Sequence, residues 1–456
     1  MKDGQYRFGA FELQVVNAGN RYLARAAAVR RLASIAVGIT PERLPDFYSA
    51  ELEAMSNTQL DQLTGQLEKL AGLFHEAVDA QRRGEKWETP RAIAPNTSDP
   101  HVNELVFRLL NAGTARTITP DPTETLCKSL LMLSVSDFEL LIGKVASAIM
   151  HKVPDAVRGA DATLTLAQLT QFGSVQAAVN YVIERRVEDL LRASLADWES
   201  WFGGFGVKFR DMTDHWPHFA EIFARRNLVV HNDGKANQQY LSRLRDAGWT
   251  DDLPEAGNMI VVDPAYLSLA LDRMTAFAAL LTTGCLLQIE KGSILPIAWL
   301  SGKVQEISES GHQNAVRTIT TTILRTSRGR LSRQHDLDFR IRQWIAMRQL
   351  GEERKMRREV EAWDIGGLEP YYVHVRAVLL EKTEYAIQST RDLLDAGKLT
   401  PLRIRLDPLY QGLRDSGALD SVILAQPPMA RQPAEDPVAT QRTTPPATES
   451  GDRGRP

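Results

Sequence analysis

The stretch EIFARRNLVVHNDGKANQQYL, Glu221 to Leu241, decides how this chain is read. Apolar residues at Trp216, Phe219, Ile222, Phe223 and Val230 recur at helical spacing, which predicts an amphipathic helix. The stripe should continue through positions 226 and 227, yet Arg226 and Asn227 stand there, and the pattern stops at His231-Asn232-Asp233-Gly234. Asn227 and His231 are four apart and share one helical face. Arg226 lies about 140° around the helix from His231, too far for direct stacking.

Working outward, Asp263-Pro264 opens an apolar helix running to Ile289, because Asp caps a helix and Pro suits its first turn. Upstream, VSDFELLIGKVASAIMHKVP reads as a helix capped by Ser136 or Asp137 and closed by Pro154. SVQAAVNYVIERRVEDLLRASLADWESWFGGFG reads as one long amphipathic helix ending at Gly203-Gly204. With no alternating strand pattern, the expected fold is all-α, a helical bundle over about 135–292. Residues 1–95 form an N-terminal helical region whose best segment carries leucines at 60, 63, 67, 70 and 73. Residues 96–134 are expected to hold a linker and short helices. From 300 to 425 the chain reads as successive helix pairs, one hinged at Gly351, resembling a short TPR-like array without a clean repeat signature. Residues 426–456 hold seven prolines and no aromatic residue, the composition of a disordered tail.

Composition narrows the function classes. The 456 residues are 43% hydrophobic and 24% charged, with a net charge of −3, the range of a soluble globular protein. Cys127 and Cys285 are the only cysteines, which supports neither a disulfide framework nor a CxxC zinc site and points to a cytoplasmic, reducing setting. The apolar run Met274 to Ile289 is 16 residues long, short of the roughly 20 needed to span a bilayer, so a core helix and no membrane partner are expected. The GxxxxGK[ST] phosphate loop and the GxSxG elbow are absent. No cofactor is expected. His215, His218 and His231 form a poor zinc set without a cysteine or carboxylate to complete it.

Arginine, an amide and histidine suit one chemistry well. Cleaving RNA without a metal needs a base for the 2′-hydroxyl, a cation for the charged phosphorane and an acid for the 5′-oxygen. Histidine titrates near neutrality, and arginine presents a fork matching phosphate oxygens. The plainer alternative is a helix-end cation set against the dipole, with Asp233-Gly234 as the turn.

RRNLVVHNDG resembles the HEPN family, whose all-α domains carry arginine, a polar residue, three more residues, then histidine. Arg226, Asn227 and His231 stand at those positions. DFELLIGKV upstream, WPHFAEIFARRN leading in, NQQYL after and VDPAYLSLALDRM closing the bundle extend the likeness over about 135–292. The resemblance implies a metal-independent endoribonuclease of antiphage, abortive-infection or toxin–antitoxin type. It also implies a homodimer through the bundle with two motifs facing one cleft, and a regulatory protein partner. Some members carry a tyrosine two residues after the histidine that a partner modifies; Asp233 stands there instead, so that control is not indicated. Other members only bind RNA or scaffold, which keeps an inactive RNA-binding protein or a helical-repeat adaptor as alternatives.

Further candidates surround the motif. Glu139 is an auxiliary polar group on the DFELLIGKV helix, against the simpler reading of a solvated face. Arg317 to Arg358 holds twelve basic and four acidic residues. Arg325, Arg328, Arg330 and Arg333 are therefore candidate RNA-phosphate contacts, with Arg225 beside the motif added to them, weighed against a solvated face with internal ion pairs.

Overall fold

The start signal at Asp263-Pro264 works as its residue types require. Asp263 Oδ1 accepts the Tyr266 N–H at 2.7 Å, and proline occupies the first turn, where its missing donor costs nothing. The computed structural model describes residues 8–37, 51–82, 97–118, 121–157, 164–327, 329–419 and 422. Every regular element among them is helical, beside one isolated antiparallel bridge between Lys235 and Met259. The tail expected at 426–456 lies outside the described residues.

The helices are α1 (Ala10–Val37), α2 (Asn57–Arg82), α3 (Pro100–Ile118), α4 (Pro122–Lys152), α5 (Leu166–Gln171), α6 (Val175–Arg192) and α7 (Leu195–Gly203). They continue as α8 (Trp216–Asn232), α9 (Gln238–Asp246), α10 (Pro264–Ile289), α11 (Leu295–Glu309), α12 (Gln313–Thr326), α13 (Arg333–Gln349), α14 (Glu353–Glu361), α15 (Pro370–Leu379), α16 (Thr383–Asp395), α17 (Pro401–Leu406) and α18 (Gln411–Asp415). The chain divides into two compact units, Met1–Met356 and Arg357–Pro456.

Helix α10 is the hub of the first unit. It is the one helix among the described residues long and apolar enough to cross a membrane, and 83% of its most apolar window is buried by protein. Its neighbours are α1, α4, α11 and α12. A fan of aromatic rings fastens α4 and α8 to it. Phe138 meets Phe219, Phe223 and Phe277 edge to face at 5.7, 5.6 and 5.9 Å. Phe219 stacks on Phe277 at 4.1 Å. Such pairs add about 0.5–1.5 kcal/mol each beyond area burial, enough to set the rotation of α8.

The N-terminal helix belongs to this same core. Phe11, Val15, Val16, Tyr22 and Val29 of α1 are buried with residues of α4 and α10. Gly19 permits the close approach, since a Cβ there would stand 2.7 Å from Thr282 Oγ1 on α10. Arg30 completes the attachment: it pairs with buried Asp272, meets His312 Nδ1 at 2.6 Å and donates to Thr275 Oγ1 at 2.8 Å. Helices α2 and α3 form a separate small core around Leu63, Val102, Leu105 and Val106.

Three sequence-based boundaries are corrected. The helix expected to start at Ser136 or Asp137 starts fifteen residues earlier, where Asp121 caps Thr123 and Pro122 takes the first turn. Ser134, inside that helix, instead returns its hydroxyl to the Leu130 carbonyl. The extra turns form because Cys127, Leu130 and Leu131 are buried in the shared core. Secondly, the long helix over 174–203 breaks at Ala193, and Ser194 with Asp197 builds a capping box for α7; Trp198 Nε1 donates across the break to Leu190 O at 2.6 Å. Thirdly, the core runs on through Ile297, Leu300, Val316, Phe339 and Ala346. The boundary expected near 292–300 therefore falls inside the first unit.

The hinge at Gly351 is present, with φ +80 between α13 and α14. In the second unit, α15 and α16 pair as a helical hairpin. Inside it, His374 is fully buried, with Nδ1 2.8 Å from Ser389 Oγ and Nε2 3.1 Å from Tyr410 Oη.

Candidate functional site

Helix α8 has two buried faces, and that explains its interrupted stripe. Trp216, Phe219, Ile222 and Phe223 enter the main core. Ala224 and Leu228 face a second cluster with Ala236, Tyr240, Leu241, Leu244 and Ile260. What remains outward at the C-terminal end is Asn227, Val230 and His231.

The end of α8 is held firmly. Asp233 adopts a left-handed conformation (φ 49) and its N–H returns to Leu228 O, as does that of Gly234 at 3.2 Å. Gly234 has φ +78, a region that favours glycine. The chain then runs beside 257–260: Ala236 N–H donates to Asn258 O and Ile260 N–H to Gly234 O, both at 2.8 Å. The motif histidine therefore sits on the last turn of a well-capped helix.

One turn before the motif lies a polar cluster that sequence reasoning missed. Glu221 is 2% exposed and accepts from Arg225 Nε at 2.6 Å, Tyr240 Oη at 2.7 Å and Tyr266 Oη at 2.7 Å. Arg225 also donates to Val261 O at 2.8 Å and lies 3.7 Å over the Tyr266 ring. Burial, with the Glu221 carboxylate next, pushes both phenols well up, so both stay protonated donors. The Glu221/Arg225 spacing of four was visible in the sequence; the two tyrosines arrive only through folding.

Arg225 is thus corrected as a phosphate contact, because its guanidinium is already committed inside the protein. Arg226 behaves differently. It turns toward α4 and pairs with Glu139, the auxiliary residue named from sequence. Its Nε is buried and has no hydrogen-bond partner among the described residues. Burial raises the Glu139 carboxyl above its ordinary range, and the Arg226 charge pulls against that shift without cancelling it.

His231 is exposed, Asn227 and Arg226 are half-buried, and none of the three enters the core. Among the described residues no hydrogen bond joins His231 to Arg226 or Asn227. The fold thus brings Arg226 to Glu139 and leaves Asn227 and His231 one turn apart on an outward face. His218, from the weighed zinc set, instead places Nε2 3.2 Å from Asp251 Oδ2 and packs its ring 4.6 Å from Trp249.

The basic segment over 317–358 is largely tied up. Arg317 pairs with Glu352, and Arg340 with Asp336. Arg342 is buried. Arg325 is half-exposed but reaches Asp214 Oδ1 at 3.0 Å and Asp211 O at 3.3 Å. Arg330 and Arg333 are exposed, and Arg328 lies outside the described residues. Compared with protein-family models, curated proteins and solved structures, the chain matches none.

Proposed function

We propose that this protein is a metal-independent endoribonuclease of HEPN type, acting as a cytoplasmic homodimer in antiphage defence or a stress response. The observation that carries the reading is the state of the motif. A well-capped helix end exposes His231 beside Asn227, while Arg226 keeps a buried N–H without an acceptor. A buried unsatisfied guanidinium N–H costs free energy, and a phosphate oxygen would satisfy it once the Glu139 pair opens to admit one.

In the reaction, the 2′-oxygen of the RNA attacks its own phosphorus, the P–O5′ bond breaks, and a cyclic phosphate with a free 5′-hydroxyl results. His231 exchanges the proton, taking it from the 2′-hydroxyl or giving it to the 5′-oxygen. A second copy's His231 serves the other end. Arg226 holds the charge that builds on the phosphorane, and Glu139 orients it until substrate displaces or shares the pair. Asn227 positions the imidazole or a phosphate oxygen.

The pairing of Arg226 with Glu139 favours one second reading, a silent RNA-binding scaffold in which the motif cation is already neutralised. Incubating a structured RNA pool in excess EDTA separates the two. The nuclease reading expects EDTA-resistant cleavage by the parent and its loss in His231→Ala. Binding without cleavage in both proteins gives the scaffold reading the field.

A further inference from the structure

Of the basic residues expected to track RNA, Arg225 and Arg325 are engaged by internal partners while Arg330 and Arg333 are exposed, and a further phosphate path can be sought nearer the motif. Helix α1 supplies one. Its sequence, AFELQVVNAGNRYLARAAAVRRLASIAV, holds four arginines and a single acidic residue, Glu12, in its first turn. Arg30 faces inward to Asp272, whereas Arg21, Arg25 and Arg31 are exposed.

Arg21 and Arg25 are one turn apart, about 6 Å along the axis, and line one wall of a cleft of about 60 Å³ between α1 and α4. Lys144, Leu140 and Asp137 of α4 form the opposite wall. Asp137 is held by Arg25 at 2.6 Å with its own side chain 11% exposed. Arg21 and Lys144 have no hydrogen-bond or ion-pair partner among the described residues, so the cleft carries two uncompensated cations.

The cleft adjoins the motif through α4. Asp137 and Leu140 line it, while Glu139, between them in sequence, holds Arg226 on the neighbouring side of the same helix turn. The exposed strip of α4 linking the two sides is Leu133, Ser136, Leu140 and Lys144. It contains no carboxylate, and its leucines offer an apolar bed for sugars and bases. Spaced cations flanking apolar ground are what a single strand needs, since phosphates supply affinity and bases supply stacking surface.

We infer that single-stranded RNA leaves the Arg226/His231 motif across the outer strip of α4 and passes the mouth of the α1–α4 cleft, where Arg21 and Lys144 hold its phosphates on either side of the Arg25–Asp137 pair. This rests on the reading that the protein acts on RNA, and it makes the N-terminal helix part of the substrate surface.

The test titrates a fluorescent single-stranded RNA 20-mer against the full chain in EDTA at several salt concentrations. Arg21→Ala/Lys144→Ala breaks no ion pair; Arg391→Ala/Lys398→Ala removes two exposed charges from the second unit as a control. The first pair should weaken binding several-fold and reduce the salt slope by about 1.4, or 0.7 for each lost phosphate contact. The control should match the parent. Arg21→Glu/Lys144→Glu should deepen the defect while circular dichroism stays parental. Parental affinity and slope in the Ala pair overturn the path, as does tighter binding of a poly-aspartate peptide than of the RNA at equal charge concentration, which would mark an acidic protein partner. A parent that binds through these residues without cutting keeps the path and sinks the nuclease; cutting that depends on His231 but binds independently of Arg21 and Lys144 does the reverse.

Discussion

Two polar groups on α8 sit one turn apart and have opposite fates. Glu221 and Arg225 are drawn inside, where two tyrosine hydroxyls, a backbone carbonyl and an aromatic face satisfy them. Arg226, Asn227 and His231 stay at or near the surface, and one guanidinium N–H lacks a partner. Residue type does not separate the groups, since each contains an arginine. Satisfaction does: the first cluster has its hydrogen bonds filled by protein, and the second leaves capacity for a ligand.

That contrast predicts opposite phenotypes. Glu221→Ala should destabilise the fold by about 3–5 kcal/mol, because Arg225 would remain buried without its carboxylate. His231→Ala should leave the unfolding midpoint in place while cleavage falls about 10²–10⁴-fold. Chemical denaturation and EDTA-resistant cleavage on both variants decide the matter. A His231→Ala protein that is destabilised yet fully active would erase the distinction.

Arg226→Ala should reduce cleavage by about 10²–10³-fold through the lost phosphorane contact, and weaken RNA binding as well. Glu139→Gln sharpens this. If Glu139 only orients the guanidinium, the variant should keep binding and lose part of kcat; if the pair is a restraint, affinity for RNA should rise. An Arg226→Ala enzyme as active as the parent would move the reaction away from the motif.

The histidines extend the comparison to pH. Burial, then Arg30, lowers the pKa of His312 from 6.5 to about 4, with Asp272 opposing. Burial does the same for His374, again to about 4. Between about pH 6.5 and 4 the unfolded chain binds more protons than the folded one, so stability falls as pH drops through that window. For His312 the loss should be on the order of 2 kcal/mol, and His312→Gln should flatten the dependence measured by urea melts from pH 7 to pH 4. A pH-independent parent would show that neither histidine is held neutral by its site.

The smallest effect belongs to Asn227→Ala. Half-buried and without a charge, it should change stability by no more than about 0.5 kcal/mol and impair cleavage less than either His231→Ala or Arg226→Ala. A defect equal to that of His231→Ala would promote Asn227 from orienting group to essential one.

Much of the helical framework was legible because it rests on local chemistry. Asp263-Pro264 starts α10, Asp233-Gly234 ends α8 and Gly351 breaks α13 from α14, each through a cap or a positive φ that acts over a few residues. The errors came where distant burial outweighed local signals. Ser136 and Asp137 look like a cap, yet the helix runs through them because the turns before them are buried against the rest of the core. Glu139 and Arg226, 87 residues apart, could be named separately as candidates, but their pairing is a product of how α4 packs on α8.

By itself, the sequence determined an all-α chain, the helix that carries Arg226, Asn227 and His231, and the turn that stops it. Periodicity and capping are short-range and need no partner to be read. Only the tertiary structure decided that Arg225 is internal while Arg226 faces Glu139, that α1 joins the central core, and that Arg21, Arg25 and Lys144 share one cleft. Those outcomes depend on which faces find apolar partners far along the chain, and burial of that kind is settled by the whole set of helices at once.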